Sequence, residues 1–219
     1  MRRFLIALIL SSACFAQTPS TAAPKAPLRR PLPSPHASTD PDEGSVSEDT
    51  YTNRFFALEY TFPENLDVQD QTSFMEGQID QSNRTFVLLA AYGTTPDEKG
   101  REGVVIVADS IASPYGPFAD GADYLRKVTG PLMQQQHFEF TSLATPVELA
   151  GVRFYRADFH KDGESYQSQL VTIRRGYALI FTLTGPAPDS LARLTNSLHT
   201  LKLGALPAPP AATKRAPAK

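Results

Sequence analysis

Apolar and polar residues alternate from Phe55 to Phe62. Phe56, Leu58, Tyr60 and Phe62 fall on one side; Phe55, Ala57, Glu59 and Thr61 fall on the other. A period of two sends successive side chains to opposite faces, so the stretch predicts a strand, ended by Pro63. Asp67 to Gln81 is polar and aperiodic, and predicts a loop with a short helix over Ser73 to Ile79. Thr85–Tyr92 (TFVLLAAY) and Gly103–Ile111 (GVVIVADSI) are short, nearly continuous apolar runs, the pattern of strands covered on both faces. Four more strands are predicted over Phe138–Leu149, Val152–Phe159, Tyr166–Arg174 and Tyr177–Thr184. Asp162-Gly163 supplies a hairpin turn between the middle two, and Arg175-Gly176 a tight link to the last.

Two segments carry helical spacing instead. From Ala119 to Gln136, Ala122, Leu125, Val128, Leu132 and Met133 form one stripe, with Asp120 and Asp123 near the positive end of the helix dipole. Gly130-Pro131 is expected to kink or split this helix, because proline removes a backbone donor. From Pro188 to Leu203, Leu191, Leu194, Leu198 and Leu201 recur at intervals of three and four, between Pro188 and Gly204. The elements predict an α+β fold, an α/β/α sandwich. Its mostly antiparallel sheet has about six to seven strands, with amphipathic helices on both faces.

Composition sets the limits of this domain. Of 19 prolines in 219 residues, 11 lie in 17–50 and 204–219, stretches with too few apolar residues for a core. Residues 17–50 read as a disordered Pro/Ala/Ser linker, spanning roughly 100 Å if fully extended as polyproline II at about 3.1 Å per residue. Residues 204–219 read as a disordered, mildly basic tail. The intervening 51–203 hold 11 of 13 Phe and all eight Tyr, and this is the predicted globular domain.

The first 16 residues read as an export signal. Arg2 and Arg3 precede an unbroken apolar run, Phe4 to Leu10, which is shorter than the roughly 20 residues a membrane span needs. Cleavage between Ala16 and Gln17 would leave small residues, Cys14 and Ala16, at the third-last and last positions. Two other readings stay open: a retained anchor, and lipidation. Leu10-Ser11-Ser12-Ala13-Cys14 resembles a lipoprotein lipobox, with Ser11 where leucine is usual. Either cleavage leaves a mature domain without a thiol, which suits a periplasmic or extracellular location.

The opening Tyr51-x-Asn53-x-x-Phe56-x-Leu58-x-Tyr60-x-Phe62-Pro63 resembles the start of domains in the PsbP-like (also Mog-type) α/β/α sandwich superfamily. The strand meander and closing helix follow the order of that superfamily over about residues 51–203. Glu64-Asn65-Leu66 stands where those domains usually have Gly-Trp, and the chain has no tryptophan. The resemblance implies the fold just described and, for function, a binding or assembly factor without a common catalytic site. Members include extrinsic photosystem II subunits, a partner of a nuclear-transport GTPase and exported bacterial proteins.

Candidate chemistry is sparse. His36, His137, His160 and His199 lie on different elements, so no pair has the spacing of a helical metal site. Asp158, Asp162 and Glu164 surround a turn but lack the order of a calcium loop. No Gly-x-Ser-x-Gly, Ser-x-x-Lys, phosphate-loop or dinucleotide-binding pattern occurs, so no catalytic residue, metal or cofactor is assigned. Asp109, at a strand end, reads either as a catalytic carboxylate or as a solvated cap. Between the third strand and the first helix, Tyr115, Phe118, Asp120 and Asp123 are candidate binding residues on a proline-rich loop. The alternative there is that Phe118 staples the helix start to the core. Residues 51–203 carry 13 Lys and Arg against 18 Asp and Glu, a net of −5, which argues against nucleic-acid binding.

The sequence therefore predicts an exported, non-enzymatic envelope module. It is expected to be monomeric with a protein partner, and membrane-bound only if lipidated at Cys14. The alternative is a small carboxylate-dependent hydrolase, using Asp109 and Asp123, or a small-ligand-binding protein.

Overall fold

The computed structural model describes residues 41, 44–69, 85–93, 101–112, 116–161, 163 and 165–205. Outside them lie Cys14, Ala16 and Gln17, the residues expected at a processing site. So do the expected linker as far as residue 40, the helix expected over 73–79, Tyr115, Asp162, Glu164 and the expected tail from residue 206.

The described strands form two antiparallel sheets. The larger has the order β4-β5-β6-β10-β9-β8-β7, from β4 (Leu66–Val68), β5 (Thr85–Gly93), β6 (Gly103–Ser110), β10 (Tyr177–Gly185), β9 (Ser165–Arg174), β8 (Val152–Lys161) and β7 (Glu139–Leu149). Each predicted run from Thr85 onward becomes a strand of this sheet. Tight reversals set its registers. Tyr177 pairs with Arg174 across Arg175-Gly176, whose φ angles of 53° and 83° give the two-residue turn that matches strand twist. Lys161 pairs with Ser165, and Gly163 in their loop has φ of 70°.

The second sheet corrects the expected architecture of one sheet with helical layers. It has the order β1-β2-β3-β11, from β1 (Gly44–Ser47), β2 (Thr50–Asn53), β3 (Leu58–Thr61) and β11 (Lys202–Leu203). Three expectations change with it. Residues 44–50 belong to strands or their turn, so the ordered fold starts before Tyr51. The predicted strand Phe55–Phe62 shortens, because Ala57 adopts φ of 49° in a turn whose N–H bonds Arg54 O at 3.2 Å. Phe55 and Phe56 then point into one core side by side rather than alternating. The closing helix ends early: α3 (Pro188–Ser197) passes through a 3₁₀ turn to Leu201, and Lys202 pairs with Glu59. Gly204 is no helix cap; its N–H bonds Ala57 O at 2.8 Å.

The first helical segment is α1 (Gly121–Tyr124), a π-helical turn (Leu125–Thr129) and α2 (Gly130–Gln135) in one run. Pro131 therefore neither splits nor ends it. Gly130 N–H reaches back five residues to Leu125 O, and this widened turn gives the proline ring room where an α-turn would clash.

Strand β10 divides the core. Leu179, Phe181 and Leu183 join a cluster with Phe56, Leu58, Tyr60, Leu194 and Leu198. Ala178 and Ile180 join another with Phe118, Ala122, Tyr124, Leu125 and Met133. Neighbouring residues of a strand face opposite ways, so the two clusters lie on opposite faces of the seven-stranded sheet. The second sheet and α3 bury the first cluster, while the α1–α2 segment buries the second.

Candidate functional site

Asp109 sits one residue from the end of β6, with Thr85 of β5 directly opposite and Ala178 of β10 on its other side. The register delivers the Thr85 hydroxyl, which donates to Asp109 Oδ1 at 2.8 Å. The helix delivers the other donor. Tyr124, at the end of α1, crosses onto the sheet beside the small Ala178 and donates its phenolic hydroxyl to Asp109 Oδ2 at 2.9 Å. Asp109 is thus a half-buried bridge among two strands and a helix, not a solvated strand cap.

Burial raises the Asp109 carboxyl above its ordinary value, opposed by the hydroxyl donors of Thr85 and Tyr124 and by the Ser110 backbone. Burial also holds the Tyr124 hydroxyl well above its usual value, and the Asp109 charge adds to that. Among the described residues no Lys or Arg pairs with Asp109. A carboxylate kept partly dry without a cation can take up a proton above the normal carboxylate range.

The other sequence candidates lie close by in the chain but have separate partners. Phe118 is 6% exposed and packs edge-on against Tyr124, with ring centroids 5.0 Å apart. Asp120 caps α1, accepting the Asp123 N–H at 2.9 Å. Asp123 accepts the Ala119 N–H at 3.2 Å and Lys127 Nζ at 2.8 Å. The Lys127 hydrogen bond is the main reason its carboxyl lies below the ordinary value. Among the described residues, Asp109 and Asp123 share no hydrogen-bond partner.

A second polar group arises where the sequence offered only a turn. Asp158 lies within β8, where Oδ1 accepts Arg156 Nε at 2.7 Å and Oδ2 accepts Ser142 Oγ at 2.9 Å. Register aligns Ser142, Asp158 and Ser168 across β7, β8 and β9; the next row is Glu139, His160 and Tyr166. The His160 and Tyr166 rings stack with centroids 5.6 Å apart and planes 10° apart. No sequence signal joins these six residues, since they come from three strands and β7 bulges between Phe140 and Thr145. Among the described residues, no three His, Cys, Asp or Glu side chains gather as a metal site. No helix among them is long and apolar enough to cross a membrane.

No family model and no curated protein matches the chain. Solved structures similar to it include the solution structure of cyanobacterial PsbP (CyanoP) from Synechocystis sp. PCC 6803. That chain is 13% identical, with 71% of this chain and 91% of that one covered and a TM-score of 0.48. Another is LpqN, involved in cell envelope biogenesis of Mycobacterium tuberculosis. It is 11% identical, with 67% of this chain and 83% of that one covered and a TM-score of 0.40.

Proposed function

We propose that the chain is an exported, non-enzymatic binding or assembly module of the cell envelope: one PsbP-like α/β/α domain held on a proline-rich tether. The observation that carries this reading is that its conspicuous carboxylates serve the fold. Asp109 joins helix to sheet, Asp120 caps α1 and Asp123 holds Lys127. Groups committed in this way position a scaffold rather than attack a substrate. The charged start, short apolar run and small residues before Gln17 support export, with release after Ala16 preferred to lipidation at Cys14.

The test is fractionation of the full chain expressed with its own N-terminus, combined with N-terminal sequencing. The mature protein is expected outside the cytoplasm, starting at Gln17. Retention of Met1 in a cytoplasmic pool would overturn the proposal. The hydrolase alternative rests on Asp109, the carboxylate that burial holds high. Hydrolytic activity in the purified chain that disappears in Asp109→Asn, with the fold kept, would favour it.

A further inference from the structure

The two side-chain rows on β7, β8 and β9 lie on the sheet face that also carries Phe154 and Leu170. Helix α3 packs on β10 and β9 of that face. Ser142, Arg156, Asp158, His160 and Tyr166 are left half-buried, and Glu139 exposed.

Ser168 is the anomaly. Its side chain is 0% exposed, yet its hydroxyl has no hydrogen-bond partner among the described residues. Native folds seldom leave a buried hydroxyl unspent. It stands directly across the ladder from Asp158, whose two oxygens are held by Arg156 and Ser142 instead. Arg156 is also underused: it donates through Nε alone, and its Nη groups have no partner among the described residues. One face thus combines spare guanidinium donors, a carboxylate acceptor and a stacked aromatic pair, beside a buried hydroxyl without a partner among the described residues.

We propose that this face binds a saccharide unit. The proposal rests on the envelope-binding reading and narrows it to a ligand class. A sugar ring presents an apolar C–H face and neighbouring hydroxyls that both donate and accept. Stacked rings suit the first, and an arginine–aspartate pair flanked by serines suits the second. Other occupants fit less well. Asp158 and Glu139 would repel nucleic acid or an anionic membrane. A cation would compete with Arg156 for Asp158. An extended peptide would pair with the edge of β7, where bulges and Pro146 interrupt the ladder.

The experiment uses the full chain, titrated with chitotetraose, cellotetraose, maltotetraose and mannotetraose at up to about 1 mM. The readout is the ring-proton resonances of His160 and Tyr166. Sedimentation with isolated envelopes is measured on the same samples. At least one tetrasaccharide is expected to shift both residues. Tyr166→Ala and the near-isosteric Asp158→Asn are each expected to weaken that binding at least about tenfold, whereas Lys202→Gln, on the other sheet, leaves it unchanged. Binding that survives both substitutions would overturn the proposed location. No response to any tetrasaccharide, with envelope association intact, would overturn the saccharide proposal and leave the envelope reading standing. Loss of both would overturn both.

Discussion

Tyr124 donates its hydroxyl to the Asp109 carboxylate at 2.9 Å, so the first helical segment is joined to β6 by a polar bond at the margin of an apolar interface. The geometry makes this bond depend on pH. Burial raises the folded pKa of Asp109 above its ordinary 3.8. A carboxyl raised by folding contributes stability that is fully present below the unfolded pKa and is lost as pH rises through the folded one. Wild type is therefore expected to lose stability relative to Asp109→Asn as pH rises from below 3.8 toward neutrality. Parallel urea melts of the two proteins across that window check the sign.

Tyr124→Phe keeps the ring that packs on Phe118 and removes only the donor. Asp109 then retains the Thr85 hydroxyl as its side-chain donor. The expected cost near neutral pH is about 1–2 kcal/mol, as for a lost hydrogen bond to a charged group with part of its satisfaction kept. The titration of Asp109, followed by its side-chain carbon resonance, is expected to move to higher pH. An unchanged titration would show that the tyrosine hydroxyl does not stabilise the carboxylate.

Gly121 tests how closely the helix approaches the sheet. A Cβ added there would lie 2.2 Å from Val171 O, a backbone atom of β9. Alanine favours helices by roughly 1 kcal/mol over glycine, so an open site would gain stability. Gly121→Ala is expected to destabilise instead, by about 1–3 kcal/mol, because the helix start must move off the strand. Thermal unfolding of the variant decides between the two signs.

Much of the sheet was legible in the sequence because its strands are local. Thr85–Tyr92 and Tyr177–Thr184 have apolar runs of strand length, and the turn that precedes the latter is marked by Gly176, whose φ of 83° glycine adopts without strain. What escaped depends on distant partners. Leu201 continues the leucine stripe of α3, but Lys202 and Leu203 pair with β3, more than 140 residues earlier in the chain. Phe55 and Phe56 look like alternating strand residues, yet Ala57 turns the chain and both rings enter one core. Asp109 could be singled out as a strand-end carboxylate, but its partner Tyr124 is placed by the path of a helix. The rows through Asp158 and His160 exist only once three strands are in register.

Asn53 explains part of the opening motif. It is 0% exposed and makes three bonds: Nδ2 donates to Pro41 O at 2.8 Å and to Tyr51 Oη at 2.9 Å, and Oδ1 accepts the Phe56 N–H at 3.0 Å. It therefore fixes the turn that places Phe55 and Phe56, and it fastens the segment leading in from the linker. Asn53→Ala is expected to cost about 3 kcal/mol, since it leaves buried polar groups unpaired. Limited proteolysis near Pro41 is expected to speed up at the same time. Faster cleavage without loss of stability would separate the anchoring role from the folding role.

The proposed role of this folded domain is binding at the cell envelope. Its most direct test is co-sedimentation of the purified full chain with isolated envelopes over a range of protein concentrations. Saturable recovery with the envelope, competed away by unlabelled chain, is expected. Recovery that stays at the level of an inert control protein at every concentration would contradict it.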